Sequence, residues 1–354
     1  MPEPYLLVTE GVSLASQDQH ARTWAVRLAE MGHQVHLICR TNQADQVLIP
    51  ATISVHRTSS GMLGIPTLVK ILRKLPPDAP AMVFGYRAAR DFRLATMGKP
   101  RRWLAVLDHA IPHHAFNRWV LQSAERIITP ARWEGITVPQ TVCPPAVDCP
   151  PKVVHFRQKL EISPHPTVLL TVGHWDGLHD AYDVVWAYEL LRYGNPTLIP
   201  VYAGNGPARG EIEALTRAMG DEDYRARFLD GPTIGESLMA DADIVAVTRR
   251  SKDGLRTIAE AMWAGKAVIA YDHPGVRLLV RDGENGFIIS VGDIPAYARK
   301  LHLLATQPSL RQQLGQQARV DIRLLQRTWN PFLQPSAPKS ETTTDSISLM
   351  KDFS

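Results

Sequence analysis

The residues of this chain best suited to ligand chemistry lie together in the stretch Ser251 to Phe287. Its apolar positions first recur at three- and four-residue spacing, which predicts a helix capped by Ser251 or Asp253 and ended by Gly265. We expect Glu260 near the start of this helix, where a carboxylate can bind a sugar diol or an anion-bearing ligand. An ordinary helix with a solvated glutamate has the same spacing, so spacing alone does not separate the two interpretations.

A polar turn follows this helix after one short strand. Residues 267–270 are all apolar and lead into the turn Asp272 to Gly275. A short apolar run with that ending is typical of a buried parallel strand that stops at a ligand-facing turn. The stretch therefore predicts a loop, a helix, a strand and a turn in that order.

Strands and helices also alternate at the start of the chain. The pattern predicts a strand at Tyr5 to Thr9, a polar loop at Glu10 to Asp18, a helix at His20 to Met31 and a strand at Val35 to Cys39. This βαβ order predicts a Rossmann-like half with a ligand loop after its first strand. Proline-rich punctuation between Pro139 and Pro166 predicts the connection to a second half.

Two glycines in the second half stand between a predicted strand at Leu198 to Ala203 and a predicted helix at Ala208 to Met219. They are Gly204 and Gly206, and a G-x-G before a helix is weak evidence for dinucleotide binding when the third glycine of that motif is missing. The nearby run Asp241 to Asp243 is interpreted as the start of a strand. We predict no metal site there.

Composition limits the class of protein. A chain of 354 residues, 45% of them hydrophobic, is long enough for two domains of about 150 residues each. No apolar run reaches the roughly 20 residues of a membrane helix and the N-terminus lacks a signal-peptide pattern, so we expect a cytoplasmic protein. Cys39, Cys143 and Cys149 lack metal-type spacing and are expected to be reduced and structural. A net charge of +4 favours anionic partners, but no motif points to nucleic acid.

Residues 61–76 form a predicted amphipathic basic helix, in which apolar residues alternate with Lys70, Arg73 and Lys74. Such a helix can lie on an anionic membrane, which would place the protein peripherally at the inner face of the membrane. The other interpretation, which we favour, is a surface helix that packs on the sheet and leaves its basic face to solvent.

Several runs in the second half match one family in register. Residues 260–265 read EAMWAG, residues 268–270 read VIA, Pro274-Gly275 follows, and residues 282–286 read DGENG. These runs resemble the donor-site segment of the family-four glycosyltransferases, which reads E-A-M-A-x-G, V-I-A, P-G or G-G, and D-G-x-N-G. The resemblance implies an α/β GT-B fold, in which two Rossmann-like domains with parallel sheets face a central cleft.

The resemblance also implies a division of the chain. Residues 1–150 would be the N-terminal Rossmann-like domain on the acceptor side, and residues 151–330 the C-terminal domain that binds the nucleotide-sugar donor. Residues 331–354 are rich in serine, threonine and proline, and we expect them to form a disordered tail.

Donor-site roles follow from the resemblance residue by residue. Glu260 would bind the ribose, the amides of Pro274, Gly275 and their neighbours would lie near the phosphates, and His109 would lie near the sugar. Three glycines at strand ends complete the donor-binding set: Gly173, Gly204 and Gly206.

Some donor-site positions depart from the family. His174 and His179 replace the arginine and lysine that clamp the donor diphosphate, and they join the donor-binding set. Lys252 replaces the first glutamate of the motif, unless the register slips by one residue and places Asp253 there. Losing one preorganised donor costs about 2.7–4 kcal/mol of barrier. His109, Lys252 and Asp253 are therefore the catalytic candidates, with Lys252 as a cation relocated towards the diphosphate.

The loop after the first strand contains the acceptor-side candidates. The family places a glycine pair there, and only Gly11 supplies the same backbone freedom. Ser13 and Ser16 are the side chains expected to bind an acceptor, and a simple helix-entry loop is the alternative.

These residues together favour a retaining glycosyltransferase that moves a sugar from a UDP-, GDP- or ADP-sugar to a glycan, lipid-linked or small-molecule acceptor. Such a reaction would belong to polysaccharide or glycoconjugate biosynthesis. The nucleotide sugar is a co-substrate, and we expect no further cofactor and no metal. The alternative is a degenerate, non-catalytic GT-B protein that binds and stabilises an active glycosyltransferase. A nucleotide-sugar epimerase of the same fold and a dinucleotide oxidoreductase agree less well with the donor segment.

Overall fold

The chain folds into two compact units in its computed structural model. One comprises Met1–Ala146 with Gln326–Ser354, and the other comprises Val147–Leu325. The described residues are 4–10, 16–40, 49–58, 64–97, 101–107, 114–147, 155–175, 179–220, 225–229, 238–248 and 254–333.

Seven parallel strands form the sheet of the first unit, in the order β3-β2-β1-β4-β5-β6-β7 among the described residues. They are β1 (Pro4–Thr9), β2 (Gln34–Arg40), β3 (Ser54–Thr58), β4 (Ala81–Phe84), β5 (Trp103–Val106), β6 (Arg126–Thr129) and β7 (Gln140–Val142). The central strands are apolar throughout and buried, as expected for a parallel sheet covered on both faces. The predicted βαβ opening is confirmed.

Helices cover both faces of this sheet. They are α1 (Ser16–Glu30), α2 (Gly64–Lys74), α3 (Tyr86–Ala95) and α4 (Ala115–Leu121). Helix α1 begins four residues before the predicted His20, because the first turn of a helix needs no apolar residue and the apolar pattern does not register it. Its buried face consists of Ala21, Trp24, Ala25 and Leu28.

Helix α2 lies within the stretch predicted to be amphipathic and basic. Leu68 and Leu72 are buried in the core of the first unit, whereas Lys70, Arg73 and Lys74 are exposed. The apolar side of the helix thus packs in the core of the unit. Only the basic side chains are left exposed, where they could contact an anionic surface. No helix within the described ranges is long and apolar enough to cross a membrane.

The second unit contains a sheet of six parallel strands, in the order β10-β9-β8-β11-β12-β13 within the described part of the chain. They are β8 (Thr167–His174), β9 (Leu198–Asn205), β10 (Arg227–Leu229), β11 (Ile244–Val247), β12 (Ala267–Tyr271) and β13 (Phe287–Ile289). Strands β9 and β10 are added on one side of β8, and strands β11, β12 and β13 are then added on the other side. This reversal places a topological switch point between β8 and β11.

Helices also flank the second sheet. They are α5 (Phe156–Lys159), α6 (His179–Glu189), α7 (Arg209–Gly220), α8 (Leu255–Trp263), α9 (Val276–Leu279), α10 (Ile294–Thr306) and α11 (Pro308–Gln326). The predicted apolar face of α8 is buried, at Leu255, Ile258, Ala259 and Met262. Gly265 ends α8 in a left-handed conformation (φ 72°), and the amides at positions 264 to 266 donate to carbonyls of the last turn.

Two aspartates near the start of the second sheet have a structural role. Asp241 accepts a hydrogen bond from the amide of Arg157, and Asp243 accepts from the guanidinium of Arg157 and from the amide of Val168. These bonds hold α5 against the amino ends of β8 and β11.

The DGENG turn lies away from the ligand-binding edge of the sheet. It precedes β13, so it stands at the amino end of a strand, whereas parallel sheets bind ligands at the carboxyl ends. Asn285 is 0% exposed, accepts a hydrogen bond from the amide of Arg281 and donates to Leu279 O and Asp321 Oδ2. This part of the family resemblance therefore reflects packing of the turn against α11.

The end of the described chain returns to the first unit at Gln326. The sequence analysis had assigned residues up to 330 to the second domain and a disordered tail from 331, but a 3-10 turn at Arg327–Trp329 and helix α12 (Asn330–Leu333) follow α11. Trp329 packs edge-on against Trp24 and donates from Nε1 to Pro144 O. Residues 334–354 of the expected tail lie outside the described residues.

Two cysteines are buried in the first unit. They are Cys39 and Cys143, and burial raises the pKa of the Cys143 thiol to about 12. A thiol with so high a pKa is a poor nucleophile at neutral pH, which agrees with the structural role predicted for it. Cys149 lies outside the described residues.

We predict that Trp329→Ala destabilises the protein by about 3–5 kcal/mol, because it removes a ring that is 1% exposed and the hydrogen bond to Pro144. Urea unfolding followed by circular dichroism measures the change. Trp186→Ala is the matched control: that ring is 39% exposed on α6, and its loss should cost about 1 kcal/mol or less. Equal effects of the two substitutions would show that the C-terminal segment is not part of the folded unit.

Candidate functional site

The candidate site of the second unit lies at the carboxyl ends of β8 and β11, where the strand order reverses. Gly173 and His174 end β8, and the fully buried Thr248 follows β11. Helix α8 starts a few residues later with its N-terminus at this same edge. Ligands of open α/β sheets bind in the crevice that such a reversal opens, and helix N-termini favour anions.

Two glycines at the end of β9, one within the strand and one directly after it, allow the chain to pack against the end of β8. A Cβ atom on Gly204 would lie 2.0 Å from the carbonyl oxygen of Gly173, and one on Gly206 would lie 2.4 Å from that of Trp175. Gly206 also has φ 146°, which side chains rarely adopt. Backbone packing therefore requires both glycines, whatever ligand the edge binds.

The turn after β12 offers fewer amides than the sequence analysis expected. Pro274 has no N–H, and the amides of Val276 and Arg277 donate to the carbonyl of His273. Gly275 N–H is the amide of this turn that has no acceptor among the described residues. Gly275 also packs on Leu255 at the start of α8, since a Cβ atom there would lie 2.5 Å from Leu255 Cδ1. The turn and the helix N-terminus are thus fixed against each other.

The sequence analysis expected Glu260 near the start of its helix, but the structure places it further along. It is the sixth residue of α8, about 7.5 Å along the axis from Leu255. Its carboxylate accepts a hydrogen bond from Arg256 Nε at 2.7 Å, and both side chains are 3% exposed. Side chains of a helix point towards its N-terminus, so Glu260 extends towards the turn that contains Arg256.

Helix α6 is the next helix in the chain after β8. It begins at His179, and Asp183 on it accepts a 2.8 Å hydrogen bond from the hydroxyl of Tyr271, the last residue of β12. Both groups are buried, so the bond anchors α6 across the sheet. His174 and His179 are placed by their backbones at the end of β8 and the start of α6.

Most of the remaining predicted residues fall outside the part of the chain that the structure describes. His109, Lys252, Asp253, Gly11 and Ser13 lie outside the described residues, together with the predicted cap Ser251. Ser16 starts α1.

The first unit has a switch point of its own, between β1 and β4. Glu10, directly after β1, accepts a 3.0 Å hydrogen bond from the amide of Arg87 in the first turn of α3. Gly85 before that helix has φ 86°. The predicted acceptor loop therefore follows β1 at an edge where the carboxylate of Glu10 already binds the N-terminus of α3.

The sequence analysis missed Arg256 and the contact between Leu255 and Gly275. Arg256 had a signal, because opposite charges four residues apart on a predicted helix are neighbours on its surface. The contact had none, since it joins the start of α8 to the turn after β12, which only the fold brings together.

The family scan and the related proteins agree with this architecture. Residues 154–321 match the family model described as "Glycosyl transferases group 1". A putative glycosyltransferase EpsD of Bacillus subtilis is 35% identical over 137 residues, which cover 38% of this chain and 35% of that protein. A trehalose synthase of Pyrococcus horikoshii is 26% identical over 49% of this chain and 43% of its own length. The chain thus spans less than half the length of these relatives.

Solved structures resemble the chain over most of its length. A sucrose-phosphate synthase from Thermosynechococcus elongatus has a TM-score of 0.74 at 17% identity, over 94% of this chain and 96% of that one. Anabaena Alr3699/HepE in complex with UDP-glucose has a TM-score of 0.75 at 17% identity, over 93% and 99%. The two parallel-sheet units therefore have the GT-B fold of glycosyltransferases. Through residues 154–321, just under half of its length, the chain resembles the group 1 glycosyl transferases.

We predict that Gly206→Ala destabilises the second unit by about 2–4 kcal/mol, because the new Cβ meets the backbone of Trp175 and the residue keeps φ 146°. Thermal unfolding measures the change. Gly210→Ala is the control: nothing lies within 4 Å of its Cβ position on α7, so it should raise stability by up to about 1 kcal/mol. A Gly206→Ala protein as stable as the Gly210→Ala protein would contradict the packing described above.

Proposed function

We propose that the protein transfers a sugar, with retention of configuration, from a nucleotide diphosphate sugar to an acceptor. The observation that carries the proposal is the position of the α8 N-terminus, which follows β11 and packs on the turn after β12 at the carboxyl edge of the sheet. The family match of residues 154–321 and the UDP-glucose bound by Anabaena Alr3699/HepE support it.

Each part of the donor has a proposed partner. The carboxylate of Glu260 accepts hydrogen bonds from the ribose hydroxyls, and the Gly275 amide with the α8 N-terminus faces the phosphates. His109 lies near the sugar. The second unit binds the donor, and the first unit binds the acceptor through the loop after β1, with Gly11, Ser13 and Ser16.

The reaction breaks the bond between the sugar C1 and the diphosphate oxygen and forms a bond between C1 and an acceptor oxygen. The diphosphate leaves with the electron pair, and the acceptor hydroxyl loses its proton. Positive charge near the departing oxygen lowers the barrier. His174, His179 and Lys252 are the proposed sources of that charge, and no metal takes part.

The acceptor class is a glycan, a lipid-linked sugar or a small molecule. Relatives include a lipopolysaccharide core biosynthesis glycosyltransferase of Rhizobium meliloti and an alpha-D-kanosaminyltransferase of Streptomyces kanamyceticus, whose names point to different products. The acceptor is therefore proposed only by class.

Nucleotide binding is the first test of this function. The melting temperature of the protein should rise in the presence of UDP, GDP or ADP, or one of their sugars, because a ligand that binds only the folded state stabilises it by mass action. At a concentration of 100 times Kd the gain is about 2.7 kcal/mol. A flat response to the whole panel would favour the non-catalytic binding subunit instead.

We predict that Lys252→Ala lowers sugar transfer by at least about tenfold, while the melting temperature of the free protein stays within about 2 °C of that of the parent, because a loop cation contributes little to folding. A radiolabelled nucleotide-sugar transfer or hydrolysis assay measures the rate. Lys70→Ala, which removes an exposed lysine of α2, is the matched control. Unchanged transfer by Lys252→Ala would exclude it as the relocated cation.

A further inference from the structure

We infer that Arg256 is a positioning residue, which holds the carboxylate of Glu260 in the orientation that recognises the donor ribose. The inference rests on the proposed function, and it adds a residue that the motif comparison did not select. It concerns the buried ion pair between Arg256 and Glu260.

The geometry of the pair is tight and enclosed. Arg256 Nε lies 2.7 Å from Glu260 Oε1, a charge-assisted hydrogen bond, and both side chains are 3% exposed. The pair spans one turn of α8, and Arg256 is on the turn nearer the helix N-terminus. Along the helix axis, Arg256 therefore lies between Glu260 and the edge of the sheet at which the strands end.

Stability alone does not account for this pair. Two buried charges lose most of their hydration, and a well-packed apolar pair of similar volume is often equally stable or more stable. The rest of the buried surface of α8 is apolar, at Leu255, Ile258, Ala259, Ala261 and Met262. An ion pair in such surroundings is best explained by a need for the carboxylate itself.

The chemistry of the ribose explains that need. Both ribose hydroxyls can donate a hydrogen bond, and an ionised carboxylate only accepts. Arg256 donates to one carboxylate oxygen and fixes its position. The carboxylate is therefore oriented before a donor enters, and less binding energy is lost in ordering it.

Calorimetric titration of three probes separates this role from the alternatives. The probes are UDP, 2′-deoxy-UDP and UMP, and the proteins are the parent, Arg256→Met, Arg256→Lys and Glu260→Gln. We expect the parent to bind UDP about tenfold or more tightly than 2′-deoxy-UDP, since 2′-deoxy-UDP lacks one hydrogen bond to the charged carboxylate. Arg256→Met and Glu260→Gln should each reduce that preference to about threefold or less. Arg256→Lys should retain a stronger preference for UDP than Arg256→Met. The ratio of UDP to UMP affinity should stay the same in all four proteins.

A folding defect has its own control. Arg256→Met removes the arginine bonded to the buried carboxylate, so the double substitution Arg256→Met with Glu260→Gln removes both charges and should recover thermal stability without recovering the preference for UDP. The expected result is a stable protein that binds UDP and 2′-deoxy-UDP almost equally.

The contrary results are distinct. If Arg256→Met keeps the preference for UDP, the pair is only structural and the inference is wrong while the proposed function stands. If it lowers the ratio of UDP to UMP affinity instead, Arg256 binds the phosphates directly, and the inference is also wrong. If the parent binds none of the three probes and no other nucleotide of the thermal panel, the proposed function fails, and the role of Arg256 fails with it.

Discussion

The parallel direction of the strands within each sheet is the constraint on which the rest of the structure depends. Parallel strands bring all their carboxyl ends to one edge, and the reversal of strand order between β8 and β11 opens that edge. Three described elements proposed to face the donor lie there: the end of β8, the turn after β12 and the N-terminus of α8. The same rule sends the DGENG turn to the opposite edge, because it precedes its strand. A motif shared with a family can therefore hold the fold together without touching a ligand.

Packing and recognition use the same residues at this edge. Gly204 lets β9 approach the end of β8, and Gly275 lets the turn after β12 approach α8, so the backbone is fixed before any ligand arrives. Fixed amides and a fixed carboxylate lose little freedom on binding, which raises affinity without new contacts. The buried ion pair of Arg256 and Glu260 extends this principle to a side chain.

Sequence patterns predicted the regular elements well where burial dictates them. The strand predicted at Tyr5 to Thr9 begins only one residue earlier, and the strand at 267–270 extends by one residue. The apolar face of α8 is buried as expected. Element ends were less predictable, as at Ser16, because the first turn of a helix is polar. The return of the chain at Trp329 was missed, since its partners Trp24 and Pro144 are far away in sequence. Glu260 was placed wrongly along its helix, because periodicity defines a face and not a starting point.

A crystal structure of the protein grown with UDP is the most direct test of the central claim, that the second unit binds a nucleotide at the carboxyl edge between β8 and β11. The account predicts the ribose within hydrogen-bond distance of the Glu260 carboxylate, with Arg256 Nε still bonded to the same carboxylate, and the diphosphate beside the Gly275 amide. UDP bound at another edge of the sheet, or a ribose that makes no contact with Glu260, would contradict it.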